Sequence, residues 1–217
     1  MRNPLFSRQG KHQLIAGERC EMSTQIMKYA DVKLGTIEAV FNRLGGVEGA
    51  ERFLRGDVEL VEAKKFLPLD SITITLTQDH NPNEFFQTRP GLWVSDDFRR
   101  LVRAKAQPNK AGTSLKLNRA KLAKNLTDSE IEATLPVTHV FTEAEVCAVV
   151  ATLITEQSEG QEGTLLNNGY ANLFYTTSRV VNVYWNADDR EWDVDTWTHD
   201  DDRWGAEGQV FSLATEN

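Results

Sequence analysis

Several absences narrow the reading of this chain. There are only two cysteines, Cys20 and Cys147, with neither CxxC nor zinc-like spacing, which excludes a disulfide scaffold and suits a reducing cytoplasm. No apolar run approaches the roughly 20 residues needed to cross a bilayer, so no membrane partner is expected. Residues 1–26 hold no continuous apolar core of the kind a secretory leader needs, so a cytoplasmic location is expected. The nucleophile elbow GxSxG, the zinc motif HExxH, the P-loop and the dinucleotide fingerprint GxGxxG do not occur. The histidines at His12, His80, His139 and His199 make no ligand spacing. No catalytic, cofactor-binding or metal residue is assigned from these patterns.

What is present is polarised charge. The net charge of −8 divides into 21 Lys+Arg against 14 Asp+Glu over residues 1–127 and 3 against 18 over residues 128–217. Such asymmetry implies a basic binding surface or two halves that attract each other. Apolar residues make up 40% of the 217, which suits one large domain or two small ones. The switch near Thr127 suggests a basic α+β region over 27–127 and an acidic helix-plus-sheet region over 128–217, with 27–217 as one domain the alternative. Residues 1–26 lack periodicity and read as a loosely held extension, in which Met22 and Met27 are alternative starts.

The most patterned stretch is Tyr170–Ser212, which holds four of the five tryptophans. A unit occurs twice: Trp185-x-x-Asp188-Asp189-Arg190-x-Trp192, then Trp197-x-x-Asp200-Asp201-Asp202-Arg203-Trp204. Val181, Val183 and Trp185 alternate with Asn182 and Tyr184, a strand period, and the aspartates between the tryptophans are turn chemistry. An even-length loop centred between Asp188 and Asp189 sets Trp185 opposite Trp192, and one centred between Asp200 and Asp201 sets Trp197 opposite Trp204. Trp192 and Trp197 are an odd number of residues apart. Either the meander is aromatic on both faces, or a bulge near Asp193–Thr196 re-aims one ring.

Upstream, Ile37, Val40, Phe41 and Leu44 mark a helix over Thr36–Leu44, stopped by Gly45-Gly46. Val47–Arg55 is a second helix, followed by a short strand at Val58–Val61. Ser71–Thr77 alternates as a strand, Gln78–Pro90 reads as a loop, and Leu92-Trp93-Val94 is extended. Ser95 caps a helix running to about Ala106. Thr113–Leu117 is extended, and Asn118 is expected to cap a helix over Arg119–Lys124. The pairs Thr127/Glu130 and Thr142/Glu145 are capping boxes. The second opens the most apolar helix, Glu143–Thr155, with Val146, Val149, Val150, Leu153 and Ile154 along it. Helices and strands without βαβ alternation make the class α+β, with an N-terminal αα-hairpin, a mixed helical middle and a C-terminal antiparallel β-meander.

The order GTIEAVFNRLGGVEGAERFLRGDVEL, a basic middle, and an acidic end such as VVNVYWNADDREWDVDTW resembles a diffuse family of uncharacterised bacterial proteins. The resemblance is clearest at Gly35–Leu60 and Asn182–Ser212. It implies that the hairpin and the tandem Trp unit travel together, and it brings no activity, cofactor or functional residue.

Candidate sites follow from chemistry. Nine basic residues and no acid occupy 98–127: Arg99, Arg100, Arg103, Lys105, Lys110, Lys116, Arg119, Lys121 and Lys124. They read as nucleic-acid contacts on the phosphate backbone, or as a solvated surface, or as a face docked against the acidic half. The Thr36–Arg55 hairpin could read DNA through Val47–Arg55, whose exposed positions Glu48, Glu51, Arg52 and Arg55 are mixed in charge. Asp188, Asp189, Asp193, Asp200, Asp201 and Asp202 could hold calcium, but lack the loop pattern that does so. Cys147 with His139 could form a nucleophilic pair, but a buried structural thiol is the favoured reading. Carboxylate pairs in the acidic half allow a hydrolase without marking one. The reading these residues favour is a non-enzymatic interaction or binding module with a protein partner. A nucleic-acid-associated regulator is the second reading and a carboxylate hydrolase the third.

Overall fold

The structure is a computed structural model that describes residues 32–61, 63–136, 140–199 and 203–214. The proposed extension at 1–26, Cys20, His12, His139 and the turn aspartates Asp200, Asp201 and Asp202 lie outside the described residues. The chain divides between Glu62 and Ala63 into two compact units. No helix among the described residues is long and apolar enough to cross a membrane.

The first unit holds two helices, α1 (Leu34–Leu44) and α2 (Gly46–Leu54). Gly45 ends α1 at φ 92°, ψ 34°, and its N–H returns to the carbonyls of Phe41 and Asn42. That left-handed conformation suits glycine. Ala50 is the one buried residue of the pair; Ile37, Val40, Phe41, Val47 and Leu54 are exposed. The strand expected at Val58–Val61 does not form. Val58, Leu60 and Val61 are exposed with no partner strand, and a strand without one leaves its backbone groups unpaired.

The second unit is α+β. Its strands are β1 (Phe66–Thr75), β2 (Leu92–Val94), β3 (Ser114–Leu122), β4 (Leu126–Thr127), β5 (Asn172–Tyr175), β6 (Val180–Asn186), β7 (Glu191–Trp197), β8 (Arg203–Trp204) and β9 (Gln209–Leu213). Its helices are α3 (Pro82–Phe85), α4 (Asp96–Leu101), α5 (Asp128–Glu132) and α6 (Glu143–Glu156), with short 3-10 turns at Arg103–Lys105 and Ser158–Gly160. Seven strands form one mixed sheet in the order β1-β3-β9-β5-β6-β7-β2, and β4 pairs with β8 in a separate ribbon. The pairs β2–β7 and β5–β9 are parallel; the others are antiparallel. The sheet crosses the charge switch at Thr127, because β3 from the basic region pairs with β9 from the acidic one.

Local signals account for much of this. Both capping boxes are present, Thr127 with Glu130 and Thr142 with Glu145. The α6 helix buries Val146, Val149, Val150, Leu153 and Ile154 against Phe174, Val181, Val183, Trp192, Val194 and Phe211. Each fully buried Val, Leu or Ile contributes about 1.5–3 kcal/mol. A second cluster on the opposite sheet face gathers Leu122, Leu126, Ile131, Leu173, Tyr175, Val180 and Val210.

Other expectations are corrected. Arg119–Lys124 is not a helix: through Leu122 it belongs to β3, which pairs with β1 on one side and β9 on the other. Pairing on both edges, with Leu117 and Leu122 fully buried, overrides a weak helical preference. The helix expected from Ser95 to Ala106 breaks at Val102 (φ −115°, ψ −65°), between α4 and the turn at Arg103–Lys105. The loop at 78–90 contains α3, capped by Asn81. The meander is antiparallel only through β5, β6 and β7; β8 leaves the sheet to join β4, and β9 returns parallel to β5. Trp185 lies opposite Trp192, but Trp197 lies opposite Val180 and Trp204 opposite Leu126. Register along β7 is unbroken, so Trp192 is buried inward and Trp197 stands on the outer face.

Candidate functional site

The basic residues of 98–127 do not gather on one surface. Arg99, Arg100, Arg103 and Lys105 follow β2 at one edge of the sheet, while Lys116, Arg119 and Lys121 lie on β3 near the other, with Lys124 just beyond it. Four strands separate β3 from β2, and neighbouring strands lie about 4.8 Å apart. Most of these cations also have local partners. Arg99 pairs with Asp96 and Arg100 with Asp97, each at 2.7 Å, and Lys110 with Asp79 at 2.8 Å. Arg103 donates to the Phe86 carbonyl, Arg119 to that of Asp70, and Lys121 pairs with Glu207. Just after α2, Arg55 is shared between Glu51 and Asp57.

Cys147 is fully buried in α6, and burial pushes its thiol pKa far up, so it is a poor nucleophile. Two depressions of about 210 and 280 Å³ lie between the 75–92 segment and the C-terminal half of α6, and a third of about 330 Å³ lies within the 78–89 segment; all touch Phe85. Their carboxylates include Asp79, which accepts from Lys110 and from the Ala111 N–H, and Glu84, which accepts from Asn81. Burial lowers the pKa of His80, which packs against Phe85 and Phe86. Asp79 and Glu84 are thus engaged in holding the loop, whereas His80 Nε2 is buried with no hydrogen-bond partner among the described residues.

The outer face of β6, β7 and β2, away from α6, is different. The alternation of β7 places Trp192 and Val194 in the core, and sends Glu191, Asp193, Asp195 and Trp197 outward. On β6 the same rule sends Asn182, Tyr184 and Asn186 to that face. Register then builds rows across strands. Trp93 of β2 aligns with Asp193 of β7, which aligns with Tyr184 of β6; Asp195 aligns with Asn182. The parallel β2–β7 pairing brings in Trp93, the tryptophan that lies outside the tandem unit. Sequence reading placed Trp93 on a strand without a partner, and no local signal connects it to Asp193.

Exposure along these rows is uneven. Trp93 is 38% and Trp197 46% exposed, whereas Asp193 is 6% and Asn182 8% exposed. The Oδ1 atoms of Asp193 and Asn182 are buried with no hydrogen-bond partner among the described residues. Asp193 Oδ2 accepts a long hydrogen bond of 3.4 Å from Asn186 Nδ2. Tyr184 answers to the same charges: burial, a hydrogen bond toward Asp193 and the fields of Asp193 and Asp195 push its pKa up to about 12. Glu191 is also raised, by burial and by the charges of Asp193 and Asp189. Among the described residues no Lys or Arg forms an ion pair with Glu191, Asp193 or Asp195.

This face can accept hydrogen bonds and stack planar groups. No group of three His, Cys, Asp or Glu side chains among the described residues has metal-binding geometry. A second polar cluster lies nearby under β8. Asp128, 2% exposed, accepts from Tyr175 Oη at 2.6 Å and from Trp204 Nε1 at 2.7 Å, and His199 Nδ1 lies 3.4 Å from Glu132. Because Asp128 ties α5, β5 and β8 together, it reads as structural. No protein-family model, curated protein or solved structure matches this chain, so the reading of the site rests on its own geometry.

Proposed function

We propose that this chain is a non-catalytic binding module that recognises its partner through the outer face of β6, β7 and β2. One observation carries the reading: two exposed indoles, Trp93 and Trp197, share a face with the buried, unpartnered acceptor oxygens of Asp193 and Asn182. A buried acceptor left unsatisfied costs about 1–3 kcal/mol. Folding gains nothing from that cost, but a ligand that donates to these oxygens recovers it. Exposed tryptophan is the residue type that most often anchors interfaces, being large, rigid and amphipathic. Departures from full polar satisfaction concentrate at functional sites.

The reading as a nucleic-acid regulator has less support. The basic residues are split between two ends of the sheet, four of the nine pair with neighbouring carboxylates, and the hairpin presents Glu48 and Glu51 beside Arg52 and Arg55. A hydrolase reading would need a pair of carboxylates converging in a concave site; of those lining the three depressions, Asp79 is held by Lys110 and the Ala111 N–H, Glu84 by Asn81, and Glu156 and Glu159 line different depressions.

The test is a binding survey with intrinsic tryptophan fluorescence and calorimetry, on the full chain and on Trp93→Ala and Trp197→Ala. The panel comprises basic and acidic peptides, neutral oligosaccharides, and duplex and single-stranded DNA at low salt. Ligands that bind the wild type should weaken at least tenfold in both variants while melting temperatures stay close. If every ligand found is indifferent to both substitutions, the outer face is not the recognition surface. Tight DNA binding with a steep negative salt slope would move the function to the basic residues.

A further inference from the structure

The outer face carries charge of one sign, and this narrows what it can hold. Resting on the binding reading above, we infer that its ligand is a basic segment of a protein partner, in extended conformation, with Arg or Lys at alternate positions. Glu191, Asp193 and Asp195 stand in one row on β7, and among the described residues no cation pairs with them. Alternate residues of any extended chain are separated by about 6.6–6.8 Å. A segment lying along β7 with basic residues at i, i+2 and i+4 therefore matches the carboxylate spacing row for row.

The aromatic residues suit the same ligand. Trp93 aligns with Asp193 on one side and Tyr184 on the other, and Trp197 follows Asp195 along the strand. A guanidinium or ammonium group that reaches Asp193 is thus bracketed by two rings, and one at Asp195 is followed by an indole. Cations are attracted to the faces of such rings, most strongly to tryptophan. Arginine adds planar donors that pair well with carboxylates such as Asp195. A nucleic acid is repelled by this row, and a neutral sugar would leave the carboxylates uncompensated.

The experiment uses the full chain and four probes. They are a fluorescein-labelled hexapeptide of alternating Arg and Thr, a hexapeptide of the same composition with its three Arg in a block, an alternating Glu–Thr hexapeptide, and a neutral β-linked oligoglucoside. Anisotropy, or calorimetry for the sugar, is read at low and at high salt. The alternating Arg peptide should bind more tightly than the blocked one by at least fivefold and weaken as salt rises. Asp195→Asn and Trp197→Ala should each weaken it by at least fivefold, with circular dichroism unchanged. Asp193→Asn gives a second variant at the buried position, with the same expectation.

Equal binding of the two Arg peptides would overturn the inference, since only net charge is then being read. So would indifference to Asp195→Asn and Asp193→Asn together. Binding of the oligoglucoside, lost in Trp197→Ala, with no response to either Arg peptide would overturn the ligand class and leave the face as the recognition surface. No response from any probe overturns the inference; the wider survey of Trp93→Ala and Trp197→Ala then decides separately whether the face binds at all.

Discussion

The hydroxyl of Tyr175 lies 2.6 Å from Oδ1 of Asp128, and the indole N–H of Trp204 reaches the same oxygen at 2.7 Å. One carboxylate oxygen thus joins the end of β5, the start of α5 and the short strand β8. Asp128 Oδ2 is buried with no hydrogen-bond partner among the described residues. Burial raises the Asp128 pKa, against the lowering effect of the two donors and of nearby His199, and Glu132 raises it further.

The pH dependence that follows has a definite sign. A carboxyl whose folded pKa is raised binds its proton more tightly when folded. Its contribution is therefore fully present below the unfolded value near about 3.9 and lost as pH rises through the folded value. Asp128→Asn keeps an acceptor for Tyr175 and Trp204 but cannot titrate. Urea midpoints from about pH 3 to pH 7 should fall less steeply across that window in the variant than in the wild type. Parallel profiles would show that Asp128 does not titrate differently on folding.

Trp192 should dominate the stability of the sheet. It is fully buried, meets Trp185 edge-on at 5.4 Å between ring centroids, and donates its indole N–H to the Gln157 carbonyl at 2.9 Å. Trp192→Ala should cost about 3–5 kcal/mol. Trp192→Phe keeps much of the volume but leaves that carbonyl without its donor, and should cost about 1–3 kcal/mol. Trp197→Ala, on the exposed face, should change stability far less. Equal costs for Trp192→Ala and Trp197→Ala in urea denaturation would contradict the assignment of faces.

Gly160 closes the turn after α6 at φ 69°, and a Cβ there would run into the ring of Trp185. Gly160→Ala combines a left-handed backbone with a steric conflict, so it should destabilise by more than about 1 kcal/mol. A melting temperature equal to that of the wild type would mean that the turn relaxes freely.

Cys147 is predicted to be silent. In a Cys20→Ser background, a thiol reagent should leave the native chain unmodified and react with one equivalent after unfolding in urea. Rapid labelling under native conditions would show that α6 opens locally, against its burial.

The ends of helices should respond as local chemistry dictates. Thr142 Oγ1 accepts from the Glu145 N–H, and the Glu145 carboxylate accepts from the Thr142 N–H. Thr142→Ala should cost about 1 kcal/mol in chemical denaturation, and Thr142→Ser much less. Equal losses for the two would place the effect in packing of the methyl group.

The sequence alone determined the features whose causes lie within a few residues of one another. Both capping boxes, the glycine stop after Leu44, the α6 stripe and the loop that sets Trp185 opposite Trp192 depend on side chains three to eight positions apart. Tertiary structure decided what depends on distant partners. Arg119–Leu122 became strand because β1 and β9 flank it, and Trp197 and Trp204 parted because β8 found Leu126 and Thr127. The candidate site belongs to this second group. Its carboxylate row is visible in the alternation of Glu191, Asp193 and Asp195, but that row gains its flanking indole only when β2 docks parallel to β7 and brings Trp93 beside Asp193. A parallel pairing between segments so far apart leaves no periodicity or turn signal in the chain, because hydrogen bonds between strands are made by the backbone, which is the same at every residue.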